Sequence, residues 1–410
     1  MNTYVTAGID LGNGYVKAYV DGFVQSFPSV AAKQVNTRNN VALGDEEIPG
    51  FMGNIVNMMD LSFSSPLVNA TERRLFGDRA LRSGLSYEEF DVFSRKSKAE
   101  VDLSGVLALA TLASHSLVQY YEKHRTLPTT ALDIKVDLAT ALPINEFRNH
   151  SASYRERFLN NGEKHTVTFH NFKHPVRIDL TFENVYVANE GESAQYGLMF
   201  AQGPFLDMIR DEAVKRFPNG ELDGITGADI VQAKNTLGID IGEGTTDYAV
   251  FSDGRFNADS SSTMNEGYGK VLEMTLSTLQ DEGYPYKSRK ELAEFLHTTP
   301  SAFSKTKWNH VKSVNEAEER RFAGVLANEV SKVFARVGTF TEVIFVFGGG
   351  ASPLEHAFFT ALQERVSEFG SDTLLPIVYL DSKFSRYLNV QGLYQVAKRI
   401  RPESERALEV

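Results

Sequence analysis

The chain has no cysteine. Disulfides, thiolate zinc sites and cysteine nucleophiles are therefore excluded, and a reducing compartment suits it. It has a single tryptophan, Trp308, and no apolar run approaching the ~20 residues of a membrane span. Residues Met1-Asn2-Thr3-Tyr4-Val5-Thr6-Ala7 carry no basic region ahead of an apolar core, so no export signal is read there and a cytoplasmic location is expected. An excess of basic charge is lacking too: 53 acidic against 42 basic residues leave a net charge of −11. That balance disfavours direct contact with nucleic acid or an anionic membrane, and any link to DNA is expected to run through an adaptor.

What is present is a soluble globular composition, 42% hydrophobic and 23% charged, in 410 residues. At about 150 residues per domain this suggests two or three domains. One pattern organises the chain. Gly8-Ile9-Asp10-Leu11-Gly12-Asn13-Gly14-Tyr15-Val16-Lys17 is echoed by Gly238-Ile239-Asp240-Ile241-Gly242-Glu243-Gly244-Thr245-Thr246-Asp247. Each stretch joins an apolar run to an alternating one, which predicts strand, tight glycine turn, strand.

Glycines in such turns permit positive φ and close approach of a ligand to the backbone. Successive N–H groups at Gly12, Asn13 and Gly14, or at Gly242, Gly244, Thr245 and Thr246, can then point at one anion, with phosphate the natural guest. Asp10 and Asp240 end the first strand of each hairpin. A carboxylate beside phosphate is repulsive without an intervening cation, and hydrated magnesium, held by few protein carboxylates, is the expected one. Lys17 is either a solvated strand lysine or a charge that neutralises phosphate. One copy alone reads as an ordinary hairpin; two copies, each with its Asp, suggest related halves facing each other across one nucleotide.

Along the rest of the chain, strands are expected at 4–10, 15–20 and 23–27, followed over 31–98 by a small inserted subdomain or surface loops. A helix is predicted over 102–123, a strand over 132–139 and a helix from Pro143. Paired strands follow at 165–170 and 176–180; His165, His170 and His174 read as strand and loop histidines rather than metal ligands. A strand at 185–188 delivers Asn189-Glu190-Gly191-Glu192 to a helix over roughly 193–216. A carboxylate at that junction either caps the helix or is aimed at a water beside a phosphate. Residues 287–336 read as helical, with 316–321 a solvated face. A strand over 342–347 runs into Gly348-Gly349-Gly350 before a helix; one or two glycines make such a turn, and a third implies a flat ring or ribose lying against the backbone. A last helix is expected from Asn389 to near Ile400.

In this order the motifs resemble the actin, DnaK-chaperone and sugar-kinase superfamily of ATPases. Within it, Asp10-Leu11-Gly12-Asn13-Gly14-Tyr15-Val16-Lys17 and Asn389-Val390-Gln391-Gly392-Leu393 are most similar to plasmid-segregating bacterial actins of the ParM type. The resemblance implies an α/β, actin-like fold: two related domains of mixed β-sheet with flanking helices around a nucleotide cleft. Domain I is expected over 1–190 with 31–98 inserted, domain II over 191–385, and 386–410 as a C-terminal helix returning to domain I. The resemblance further implies polymerisation with ATP and Mg2+ into a filament of the chain's own copies, GTP being left open. Hydrolysis would time disassembly, and a small DNA-binding adaptor would attach the filament to a plasmid centromere. By this match Asp10 and Asp240 hold magnesium, Glu190 orients the attacking water, and Gly348, Gly349 and Gly350 form the adenosine loop. The competing reading is a small-molecule, sugar-type kinase, in which Glu190 or Glu192 accepts a substrate hydroxyl proton.

Overall fold

The computed structural model describes residues 4–34, 42–69, 72–90, 96–215, 217, 220–337, 341–368 and 375–400; parts of the 31–98 stretch and the end of the 386–410 segment lie outside them. The chain forms two compact units, Met1–Phe200 with Tyr387–Val410, and Ala201–Arg386.

The first unit opens with the meander β1 (Tyr4–Leu11), β2 (Tyr15–Val20) and β3 (Phe23–Pro28). Alternation in β2 buries Val16, Ala18 and Val20 on one face and leaves Tyr15 exposed. Asp21 and Gly22 both take positive φ, the hairpin geometry whose twist matches the flanking strands. Among its described residues the 31–98 stretch, expected as a small inserted subdomain or surface loops, holds four short strands: β4 (Ala31–Lys33), β5 (Asp60–Ser64), β6 (Arg74–Phe76) and β7 (Tyr87–Glu88). Each is too short to show a period, which is why the sequence pattern missed them. Buried Arg74 ties them down, donating to Glu88 at 2.8 Å and to Asp102 at 3.3 Å.

With β8 (Leu132–Leu142), β9 (His165–Phe169) and β10 (Val176–Asn189), these strands form a ten-stranded sheet in the order β3-β2-β1-β8-β10-β9-β5-β6-β4-β7. The two strands expected at 176–180 and 185–188 are one strand. A bulge between Phe182 and Asn184 absorbs the polar interruption, so both apolar halves stay in register with β8. His165 is a core histidine between Ser65 Oγ and Phe158 O, each at 2.7 Å, and His170 meets Ser62 Oγ at 2.8 Å.

The second unit contains β11 (Thr236–Ile241), β12 (Thr246–Ser252), β13 (Arg255–Phe256), β14 (Ser262–Met264), β15 (Val343–Phe347) and β16 (Ile377–Tyr379). Its sheet runs β13-β12-β11-β15-β16, with β14 beside β12. In both sheets the motif strand has its hairpin partner antiparallel on one side and a parallel strand on the other. That common topology is the structural form of the repeated motif.

The single helix expected over 193–216 is two, Glu190–Met199 and Pro204–Lys215. Gly203, at φ +51°, reverses the chain ahead of Pro204, a residue suited to starting a helix. The face expected to be solvated around Glu316 is partly turned inward. Glu319, on helix Lys305–Val337, accepts from Tyr268 Oη at 2.9 Å and from Asn315 Nδ2 at 2.7 Å.

Helix Leu388–Ile400 belongs to the first unit and crosses helix Glu190–Met199 and β1 closely. Glycines make the approach: a Cβ at Gly392 would strike Ser193 O, and one at Gly197 would lie 2.5 Å from Leu388 O. Gly8, read above as part of a phosphate motif, faces this helix, 2.7 Å from Val390 O by the same measure. Among the described residues no helix is long and apolar enough to cross a membrane.

Candidate functional site

Strand register sets the turn in each unit. Asp10 pairs with Lys17 and Leu11 with Val16, so Gly12, Asn13 and Gly14 close the turn. In the second unit Asp240 pairs with Asp247 and Ile241 with Thr246. The repeat is therefore asymmetric in charge. The position of Lys17 is taken by Asp247, which is buried and accepts from Thr263 Oγ1 at 2.5 Å.

The glycines that open the two turns act differently from expectation. Neither Gly12 nor Gly242 has positive φ; instead each lacks room for a side chain. A Cβ would lie 2.8 Å from Tyr15 O at Gly12 and 3.0 Å from Thr245 O at Gly242. Turn carbonyls are also tied back in both units. Ser29 Oγ donates to Gly12 O at 2.7 Å and Ser29 N to Gly14 O at 3.0 Å. Tyr268 N and Gly269 N donate to Gly242 O and Glu243 O, each at 2.9 Å. Engaged carbonyls repel an incoming anion less, so both turns are suited to a phosphate. Thr246 contributes no side chain to this face, because its hydroxyl is buried and donates to Glu266 O at 2.9 Å.

The three consecutive glycines divide by role. Gly348 has φ +98° and lies against Asp240 Oδ1 and Ile241 O. Gly350 backs onto Tyr268 and Ile241, donating its N–H to Ile241 O at 2.8 Å. Only Gly349 faces open space. The protein's own packing accounts for two of the three, and the surface left for a ligand is at Gly349.

A buried charge cluster lies beside the first turn. Asp10 is buried; burial pushes its carboxyl above the ordinary range and Glu190 adds to this, against Lys17, Lys98 and a hydrogen bond with Asn389. Lys98 Nζ donates to Leu11 O and to Glu190 Oε1, both at 3.1 Å. Burial disfavours its charge, but the carboxylates of Glu190 and Asp10 prevail and hold the ammonium above its usual range. Glu190 is the first residue of its helix yet does not cap it. Asn189 does, its side chain accepting from Glu192 N. Glu192 is held by Asn189 Nδ2 at 3.0 Å and Tyr196 Oη at 2.7 Å, so of the two carboxylates only Glu190 faces the turn's charges.

Sequence reasoning missed Lys98, Ser29 and Glu146. Glu146 accepts from Ser97 Oγ at 2.5 Å and from Lys98 N at 2.8 Å, fixing the backbone that carries the ammonium. The available signal was Ser97-Lys98-Ala99-Glu100, whose Ser-x-x-Glu spacing marks a fixed turn. Among the described residues no group of three or more His, Asp or Glu side chains is placed to hold a metal.

Two mixed sheets built on equivalent strand–turn–strand motifs, with helices packed on them, define an actin-like fold. Residues 8–192 match the family described as the N-terminal domain of actin-like proteins, and residues 238–360 match the C-terminal region of archaeal MreB-like actin homologues. Together they span most of the chain and both turns: the chain belongs to the actin-like proteins. Among solved structures it is similar to the actin-like protein Alp7A at 15% identity, with a TM-score of 0.68 and 99% of each chain covered. It is also similar to a Bacillus thuringiensis ParM with ATP, at 15% identity, TM-score 0.57, and 98% and 100% coverage. A pCBH ParM described as a non-polymerisable quadruple mutant is similar at 16% identity, TM-score 0.59, and 97% and 99% coverage. No curated protein matches the chain in sequence.

Proposed function

We propose that the chain binds a magnesium nucleoside triphosphate, ATP before GTP, and assembles with its own copies into a filament whose disassembly is timed by hydrolysis. The observation that carries this reading is the Glu190 carboxylate held 3.1 Å from Lys98, whose ammonium also reaches the Leu11 carbonyl beside the Gly12-Asn13-Gly14 turn. A structural carboxylate at that junction would cap the helix; this one points to the turn's charge cluster instead.

The residues fit such a ligand. Both turns have their carbonyls engaged. Gly349 leaves space for a ring or ribose. Asp10 is a carboxylate whose burial an adjacent cation would relieve. Asp10 and Asp240 each end the motif strand of their own unit, and magnesium, which keeps most of its waters, is held by few protein carboxylates. Bound there, the ion would neutralise phosphate charge.

The chain's own groups supply the rest. Amides of Gly12 to Gly14 and of Gly242 to Thr245 hold phosphate oxygens, and Lys17 adds positive charge. Glu190 orients a water for attack on the terminal phosphate. Phosphoryl transfer depends on positioning and charge stabilisation, so a subunit contact that improves alignment is sufficient to make hydrolysis follow assembly. A relative solved with ATP and another described as a non-polymerisable mutant support the nucleotide and the self-association. We place the protein in the cytoplasm, in plasmid partition, with a small DNA-binding adaptor as the link to DNA, consistent with a net charge of −11.

The test is light scattering of purified protein after adding magnesium and ATP, with phosphate release followed in the same sample. A rise that depends on protein concentration, then phosphate release and decay, is expected. Phosphate transfer to a small acceptor with no rise at any concentration would replace this reading with the small-molecule kinase.

A further inference from the structure

Lys98 enters none of the roles above, yet it is the best-anchored charge beside the first turn. Its backbone N–H and the neighbouring Ser97 hydroxyl are both fixed by Glu146 from helix Ile144–Leu159. Its ammonium lies 5.4 Å from the centre of the Phe90 ring, which shields it. The side chains of Lys98 and Glu190 are 13% and 15% exposed, so their attraction is little screened. An ammonium has three N–H donors. Leu11 O and Glu190 Oε1 take two, and the third is available to an anion at the turn.

We propose that Lys98 is a triphosphate-sensing switch residue: without a terminal phosphate it restrains Glu190, and a terminal phosphate at the Gly12-Asn13-Gly14 turn draws the ammonium away and frees that carboxylate to hold water. The inference rests on the nucleotide reading above. It goes further by assigning discrimination between nucleoside triphosphate and diphosphate to one side chain. The hand-over is favourable on charge alone, because a terminal phosphate carries more negative charge than a carboxylate and presents several acceptors. Glu190 and the terminal phosphate therefore compete for one ammonium. Removing the charge on Glu190 should strengthen triphosphate binding, an effect that a purely structural ion pair would not produce.

The experiment displaces a fluorescent nucleotide with MgATP or MgADP from the full chain and from Lys98→Met, Lys98→Arg, Glu190→Gln and the Lys98→Met/Glu190→Gln double variant. Thermal melts check that each variant is folded. Hydrogen bonds to charged groups imply that Lys98→Met weakens MgATP roughly tenfold or more, while MgADP changes less than about twofold. Glu190→Gln is expected to tighten MgATP several-fold and leave MgADP unchanged, and the double variant loses that gain. Lys98→Arg, which keeps the charge, retains the preference for triphosphate. Glu146→Gln, which loosens the backbone of Lys98 and removes a carboxylate that acts on its ammonium, should weaken MgATP by a smaller factor. Equal weakening of both nucleotides by Lys98→Met, or no gain of MgATP affinity in Glu190→Gln, overturns the switch while leaving the nucleotide site in place. Failure of the unmodified protein to bind either nucleotide overturns the site and the switch together.

Discussion

Gly348→Ala separates packing from ligand contact at the glycine triplet. At φ +98° this residue lies beyond the left-handed basin that other residues reach. Holding alanine there costs about 1–3 kcal/mol in backbone strain. The new methyl would also strike Asp240 Oδ1 and lie 2.5 Å from Ile241 O and 2.8 Å from Ile241 C. These neighbours are mostly main chain at the end of β11, so relief requires the strand to move, at about 1–3 kcal/mol for an overpacked site. The combined loss is about 2–6 kcal/mol, and at roughly 2–4 °C per kcal/mol for a unit of this size the melting temperature falls by at least about 4 °C. Gly349→Ala is the control: no atom lies within 4 Å of its Cβ. A stability change within about 0.5 kcal/mol is expected for it, together with weaker nucleotide binding because the methyl fills the surface left for a ring. Calorimetry of the ligand-free protein, followed by nucleotide titration, measures both. Equal melting of the two variants would refute the division of roles.

Glu190→Ala should still assemble with MgATP but release phosphate about a hundredfold more slowly, as expected on losing a positioned general base, and leave long-lived filaments; phosphate release at the unmodified rate would remove Glu190 from the chemistry. Glu319 provides a pH test. Burial raises its carboxyl, with Glu316 adding, against Tyr268, Asn315 and Lys312. An acid raised on folding favours the folded state fully below its unfolded value and loses that contribution as pH rises through the folded one. Glu319→Gln should therefore flatten the fall in melting temperature between about pH 4 and neutrality; an unchanged slope would contradict the assignment. Gly392→Ala should force helix Leu388–Ile400 away from Ser193 O, costing about 1–3 kcal/mol. It should also slow phosphate release, since the helix it packs against, Glu190–Met199, carries Glu190; hydrolysis at the full rate in a destabilised variant would show that the two helices are uncoupled.

Much of the fold was legible in the sequence because strong periods and turn residues are local. The meander at 4–27, the buried helix Asp102–His124, β15 and helix Leu388–Ile400 follow from spacing alone. The short strands at 31–88 did not, since two to five residues cannot show a period, and their place in the sheet depends on pairing with β9 far along the chain. The break at Gly203-Pro204 is also local, a positive-φ glycine followed by a helix-starting proline, but it interrupts an otherwise continuous helical pattern.

The division is sharper at the site. Sequence by itself determined the two hairpins, with Asp10 and Asp240 at equivalent positions, because strand register is fixed by the turn that closes it. Only the tertiary structure decided what each polar group does there. It gave the helix cap to Asn189 and left Glu190 to the charge cluster, and it turned the hydroxyl of Thr246 inward. It also brought Lys98, 92 residues before Glu190, to within 3.1 Å of that carboxylate. A charge's role depends on which other charges share its low-dielectric surroundings, and those neighbours arrive from distant parts of the chain only when the sheet and its helices pack.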